Sequence, residues 1–237
     1  MTYTGKQPDQ IRSMMETYEG YSYPLVEQVS GWFNSNSDIR WYSNSIGDFE
    51  DENITQLYQT DQYSRDTRWE FWNKLLPVLK DNNIKTNLDI GCANNHFSFL
   101  CNKNGIFSVG IDPREDCVRT SDKIFKEQFG NTFGYVGTIK TFVDHFAQYN
   151  EQIFDCVTVL NFLHGGNPIS ESVDKYSVGN HVPEEIEKLF NILPRIANYA
   201  IVSEPNWDNL GLPVMTTEFK KLGSINNTAC DHILYKL

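Results

Sequence analysis

The sequence predicts an α/β protein built on a doubly wound, mostly parallel sheet, and three observations carry that reading. Short apolar strands alternate with helical patterns from residue 66 onward. The run Phe154 to Leu160 (FDCVTVL) is almost continuously apolar, as a strand covered on both faces must be. The chain closes on two strands, Ser224 to Thr228 and His232 to Leu237, whose short linker argues for antiparallel pairing.

The elements follow in order. Residues 1–65 form a polar, aromatic segment with Tyr18, Tyr21, Tyr23, Trp32, Trp41, Tyr58 and Tyr63 scattered through it. It reads as a cap folded onto the next domain, because tyrosines need apolar cover and a polar partner together. Within it, helices are expected near Pro8 to Tyr18 and Glu52 to Tyr58, and a loop from Asn34 to Asp48. From Asp66 to Lys80, Trp69, Trp72, Leu75, Leu76 and Leu79 recur at helical steps. Ser64 or Asp66 is the expected N-cap, and Pro77 is expected to kink or shorten this helix. Strands are then predicted at Asn87–Ile90, Phe107–Ile111, Phe133–Val136, Phe154–Leu160 and Tyr199–Ser203. Between them lie helices at Asn95–Cys101, Glu115–Phe129, Lys140–Gln148 and from Pro183, the last with Ile186, Leu189, Phe190 and Leu193 as its buried stripe. A final helix is expected near Thr216 to Leu222, stopped by Gly223.

Composition narrows the partners. Hydrophobic residues make up 40% of the 237, enough for a full α/β core and against wholesale disorder. A formal net charge of −11 repels phosphate backbones and anionic lipid, so neither nucleic acid nor membrane is an expected partner. The five cysteines show no CxxC pair, their number is odd, and no secretory signal opens the chain, so a reducing, cytoplasmic setting is expected. No metal-ligand constellation stands out, and no metal is expected.

The chemistry concentrates in Thr86 to Asp112, TNLDIGCANNHFSFLCNKNGIFSVGID. Gly91 leaves the first strand where backbone must approach a ligand closely. Asp112 ends the second strand roughly 20 residues later, where an acid can accept both hydroxyls of a ribose. GCANNH is not GxGxxG, however, and the missing glycines disfavour a pyrophosphate-bearing nicotinamide ligand. LDIGCANNHFSF followed by VGID resembles motif I and the acidic loop of class I S-adenosylmethionine-dependent methyltransferases, with Asp89, Gly91, Ala93 and Asn95 at the places of (D/E)xGxGxG. Ala93 is a small replacement, and asparagine tolerates positive φ better than other non-glycine residues. FDCVTVLNFLHGG is similar to the family's fourth motif, YAIVSEP to the strand that follows, and HILYKL to its inserted antiparallel strand.

The resemblance covers residues 66–237. It implies a Rossmann-like seven-stranded core with an antiparallel last strand, S-adenosyl-L-methionine as cofactor, and methyl transfer as the reaction. It places Asp89 and Gly91 near the methionine portion, Asp112 and Pro113 at the ribose, and the loop Gly137-Thr138-Ile139 beside adenine, with Ala93 and Asn161 completing the cofactor set. The family's usual acid is missing from that loop. Attack on the methyl carbon needs positioning and a proton acceptor. His164, past strand four, and Glu204, past strand five, are the candidates. His164 is read equally as a base or as a residue tying down a glycine-rich loop, and Glu204 also as a strand-end cap. Tyr58, Tyr63, Arg68 and His181 are candidate substrate contacts, against plain packing, solvated charge or helix entry. The absence of an (N/D)PPY-type motif, NFLH standing in its place, disfavours DNA. The expected acceptor is a small molecule or a glycan-type hydroxyl, with nitrogen or protein methylation, or a non-catalytic scaffold, as the other readings.

Overall fold

In the computed structural model the described residues are 6–16, 18, 62–92, 95–112, 118, 122, 126, 129–131, 133–160, 183–203, 213–226 and 231–237, with 62–70, 96, 226 and 231 described by backbone alone. The elements are α1 (Pro8–Glu16), α2 (Gln62–Asp81), β1 (Thr86–Ile90), α3 (His96–Lys103), β2 (Phe107–Asp112), β3 (Gly134–Val136), α4 (Ile139–Phe146), β4 (Phe154–Val159), α5 (Pro183–Ile196), β5 (Ala197–Ser203), β6 (Lys220–Asn226) and β7 (Asp231–Lys236). Seven strands form one sheet in the order β3-β2-β1-β4-β5-β7-β6. β1 to β5 run parallel, and β7 is antiparallel to both β5 and β6. The strand order reverses beside β1, which pairs with β2 on one side and β4 on the other. Such a switch point opens a crevice outside the carboxyl ends of the strands, the usual seat of a ligand in an open α/β sheet.

Every residue of β1, β2 and β4 is buried. Their two faces differ in character, because alternate side chains point to opposite sides. Leu88 and Ile90, Val109 and Ile111, Val157 and Val159 make one face apolar. On the other, Asn87 and Asp89 lie in register with Ser108 and Gly110 on β2 and with Cys156 and Thr158 on β4. Helix α3 lies against β1 and β2 and brings Ser98 and Asn102 to this polar layer.

Helix α1 is anchored in the core. Ile11 and Met15 are buried, and the Arg12 guanidinium sits 5.1 Å from the ring centre of Phe107 and 5.5 Å from that of Phe133. The expected helix near 52–58 and loop at 34–48 lie outside the described residues. Helix α2 starts at Gln62, so Ser64 and Asp66 fall inside it and neither is its cap, and it runs through Pro77 to Asp81. The helix expected from residue 115 is described only at helical residues 118, 122, 126 and 129, of which Val118 and Asp122 are buried. The helix expected near 216–222 is absent. Residues 215–218 form a turn, and β6 begins at Lys220. Pairing with β7 outweighed the weak helical spacing there, and Gly223 lies at the register shift of β6 rather than at a helix stop.

The amino end of the sheet is tied by Asp155. Its Oδ2 accepts from the Lys85 and Thr86 amides at 2.7 and 3.0 Å, while its own amide donates to Thr86 Oγ1 at 2.9 Å. Asp155→Ala removes both carboxylate bonds and strands the buried Thr86 amide. Urea unfolding should show a loss of about 2–4 kcal/mol; a change within experimental scatter would mean the strand ends hold without it.

Candidate active site

The site is assembled at the carboxyl ends of β1, β2 and β3. Asp89, one residue short of the end of β1, is 2% exposed and accepts the Thr158 hydroxyl on Oδ1 at 2.9 Å. Burial pushes its carboxyl up to about 7; the Thr158 bond opposes this and the negative charge of Asp112 adds to it. The two carboxyls are thus near enough for the charge of Asp112 to bear on Asp89.

Between them the backbone turns sharply. Gly91 has φ +74°, a left-handed conformation, and its amide donates to the Ile111 carbonyl at 2.9 Å. The Cys92 amide reaches the same carbonyl at 3.1 Å. Asn95, at the N-cap position of α3, also sits in the left-handed region at φ 58°. A left-handed backbone of the kind glycine usually supplies is thus present at Asn95. Its side chain secures the turn, since Nδ2 donates to the Phe133 carbonyl at 2.9 Å. Its Oδ1 is buried with no hydrogen-bond partner among the described residues and lies where a β-carbon on Gly110 would come within 2.1 Å. Gly110 is therefore required by the close approach of Asn95 and Cys92.

Asp112 ends β2 at 3% exposure, and its carbonyl accepts the Gly137 amide at 3.0 Å. This bond ties the loop after β3 to the acid. Thr138 caps α4: its Oγ1 accepts the Thr141 amide at 3.2 Å. Ile139 is 4% exposed and belongs to the apolar core.

The structure thus brings together Asp89, Gly91, Asp112, Thr138 and Ile139 at one edge of the sheet. Tyr63 and Arg68 lie in α2, described there by backbone alone. Tyr58, Ala93, Pro113, Asn161, His164, His181 and Glu204 lie outside the described residues. Two features escaped the sequence reading. Thr158, the donor to Asp89, is an unremarkable threonine in an apolar run, and only the β1–β4 register pairs it with the acid. His232 is fully buried, its Nδ1 2.5 Å from Ser203 Oγ at the carboxyl end of β5, with the Phe71 ring centre 4.1 Å away. The expected antiparallel last strand was the available signal, since it carries the start of β7 to the end of β5.

No protein-family model matches the chain, and no curated protein matches it in sequence. Solved structures share its fold. The PH0226 protein from Pyrococcus horikoshii OT3 superposes with a TM-score of 0.52 at 16% identity, over 76% of this chain and 94% of that one. Magnesium protoporphyrin IX methyltransferase (ChlM) from Synechocystis PCC 6803, with bound SAH, gives 0.52 at 16% identity over 88% and 97%. Monomeric WbdD gives 0.51 at 20% identity over 79% of this chain, which spans 44% of WbdD. The seven-stranded mixed sheet is therefore the Rossmann-like methyltransferase fold.

Asp89 generates a stability prediction. Its folded-state pKa of about 7 lies above the ordinary 3.8, so the fold favours the protonated form. That contribution is fully present below about pH 4 and is lost as pH rises through about 7. Asp89→Asn should therefore stabilise the protein at pH 8 by roughly 2–4 kcal/mol and by little at pH 4. Urea unfolding at the two pH values measures it; an equal difference at both would show that Asp89 carries no such strain.

Proposed function

We propose that the protein is an S-adenosylmethionine-dependent methyltransferase acting on a small-molecule or glycan acceptor, with a hydroxyl oxygen as the target. The observation that carries the reading is the pair of buried acids, Asp89 and Asp112, at the ends of adjacent strands, with Gly91 in a left-handed turn between them. The donor set fits the cofactor. Asp112 can accept two ribose hydroxyls, and Asp89 suits an ammonium group. The turn is fastened to β2 by the Gly91 and Cys92 amides and to Phe133, just before β3, by Asn95, and it offers no glycine-rich cradle for a pyrophosphate.

Held there, S-adenosylmethionine would supply an electrophilic methyl group for an acceptor's lone pair. The chain's part is orientation and proton handling. The two acids would hold the ligand's ammonium and its ribose, with the turn at Gly91 and Cys92 between them. The acceptor's hydroxyl proton passes to a base from the loops after β4 or β5, for which His164 and Glu204 are the proposed residues. Ala93, Pro113, Thr138, Ile139 and Asn161 are proposed to line the cofactor, and Tyr58, Tyr63, Arg68 and His181 the acceptor. Among the described residues no helix is long and apolar enough to cross a membrane. Cys101 and Cys156 are buried thiols, which supports a cytoplasmic setting.

Titration calorimetry tests the reading. S-adenosylhomocysteine should bind and NAD should not; binding of NAD alone would overturn the cofactor assignment. Asp112→Ala should weaken the sulfur ligand about tenfold or more, since two hydroxyls lose a charged acceptor. Affinity for S-adenosylhomocysteine should rise as pH goes from 6 to 8, because its ammonium favours ionised Asp89, and the rise should vanish in Asp89→Asn. His164→Ala should slow turnover while leaving that affinity unchanged; full activity would leave the loop-tying role.

A further inference from the structure

Tyr18 stands just beyond α1, its amide donating to the Met15 carbonyl at 3.0 Å. Its ring meets Tyr135 of β3 and His145 of α4 edge-on, at 6.2 and 5.1 Å between centres. Its hydroxyl lies 3.1 Å from Thr141 Oγ1 in the first turn of α4. The direction of that bond follows from its neighbour. Thr141 spends its one hydroxyl proton on the Thr138 carbonyl at 2.9 Å, so the Tyr18 phenol is the donor. The phenol oxygen therefore keeps its capacity to accept.

The hydroxyl also rests on the loop that the core ties to Asp112. A β-carbon on Gly137 would lie 1.8 Å from Tyr18 Oη and 2.7 Å from Cζ. Gly137 is not among the residues with positive φ, so the contact with Tyr18, and with Thr141 Oγ1 at 2.7 Å, is what requires a glycine there. The Gly137 amide in turn holds the Asp112 carbonyl. Burial raises the phenol to about 12; the Thr141 bond opposes this, and Cys92, next to Gly91, adds to it. The hydroxyl thus rests on the loop after β3, whose Gly137 amide is bonded to Asp112 at the carboxyl end of β2.

We propose that Tyr18 completes the pocket for the base of an adenosine-type ligand, its phenol oxygen accepting a hydrogen bond from the exocyclic amino group, so that helix α1 is part of the binding site. This rests on the nucleoside reading above. The surroundings suit such a base: the loop after β3 presents neutral hydroxyls and aromatic edges, which recognise an uncharged heteroaromatic ring rather than a phosphate. An N–H of an amino group meets an acceptor there; the oxo group of a hypoxanthine meets an oxygen that repels it.

The test compares S-adenosylhomocysteine with S-inosylhomocysteine, in which an oxo group replaces the amino group, by calorimetry on the full chain. The wild type should prefer the adenosyl ligand by about tenfold. Tyr18→Phe should weaken the adenosyl ligand 3- to 10-fold, tighten the inosyl ligand by relieving the oxygen–oxygen repulsion, and so shrink the preference. An undiminished preference in Tyr18→Phe overturns the inference while the cofactor reading stands, even if the variant melts lower. A wild type that binds neither ligand removes both.

Discussion

Thr158 has one hydroxyl proton and directs it to Asp89, while its oxygen receives the Asn87 amide at 3.3 Å. That arrangement is the centre of a polar layer through the middle of the sheet. Asn87 Nδ2 also reaches Ser108 Oγ at 3.0 Å, Ser108 Oγ donates to Ser98 Oγ at 3.0 Å, and Asn102 Nδ2 binds the Ser98 and Ser108 carbonyls, each at 2.7 Å. β4, β1, β2 and α3 are thereby joined by side chains as well as by backbone. A buried polar group without a partner costs about 1–3 kcal/mol. A one-residue slip of β1 would move Asn87 and Asp89 to the apolar face and incur that cost several times over. The layer consequently specifies register more sharply than an apolar layer of the same volume.

The layer also explains why the site can hold a buried acid. A lone carboxylate at 2% exposure is expensive, and the network offsets only part of that expense with one hydroxyl. The unmatched remainder shows as the raised pKa of Asp89. The Oδ1 atoms of Asn87, toward the amino end of β1, and of Asn95 are likewise buried without a hydrogen-bond partner among the described residues.

Period and turn chemistry made the sheet legible, because strands buried on both faces and amphipathic helices such as α5 leave strong patterns. The weak signal at 216–222 misled, since an edge strand takes its identity from β7 rather than from its own spacing. In the site, Asp89, Gly91 and Asp112 were legible as a motif at strand ends, and asparagine's tolerance of positive φ anticipated the conformation of Asn95. Thr158, and Ser203 with His232, were not. Each acts across the sheet or from a distant segment, and a local window carries no record of such a partner.

Tyr18 makes the same point about the N-terminal segment. Ile11 and Met15 anchor α1 by burial, and Arg12 adds its stacking over Phe107 and Phe133. These contacts need only an apolar surface, and they would be served by many helices. The Tyr18 hydroxyl is different, because it demands a glycine at position 137 and a threonine hydroxyl at 141 committed elsewhere. A residue that imposes conditions on a loop fastened to Asp112 is tied to what that loop does. Apolar burial holds α1 in place, and the Tyr18 hydroxyl fixes the end of this segment against the loop after β3.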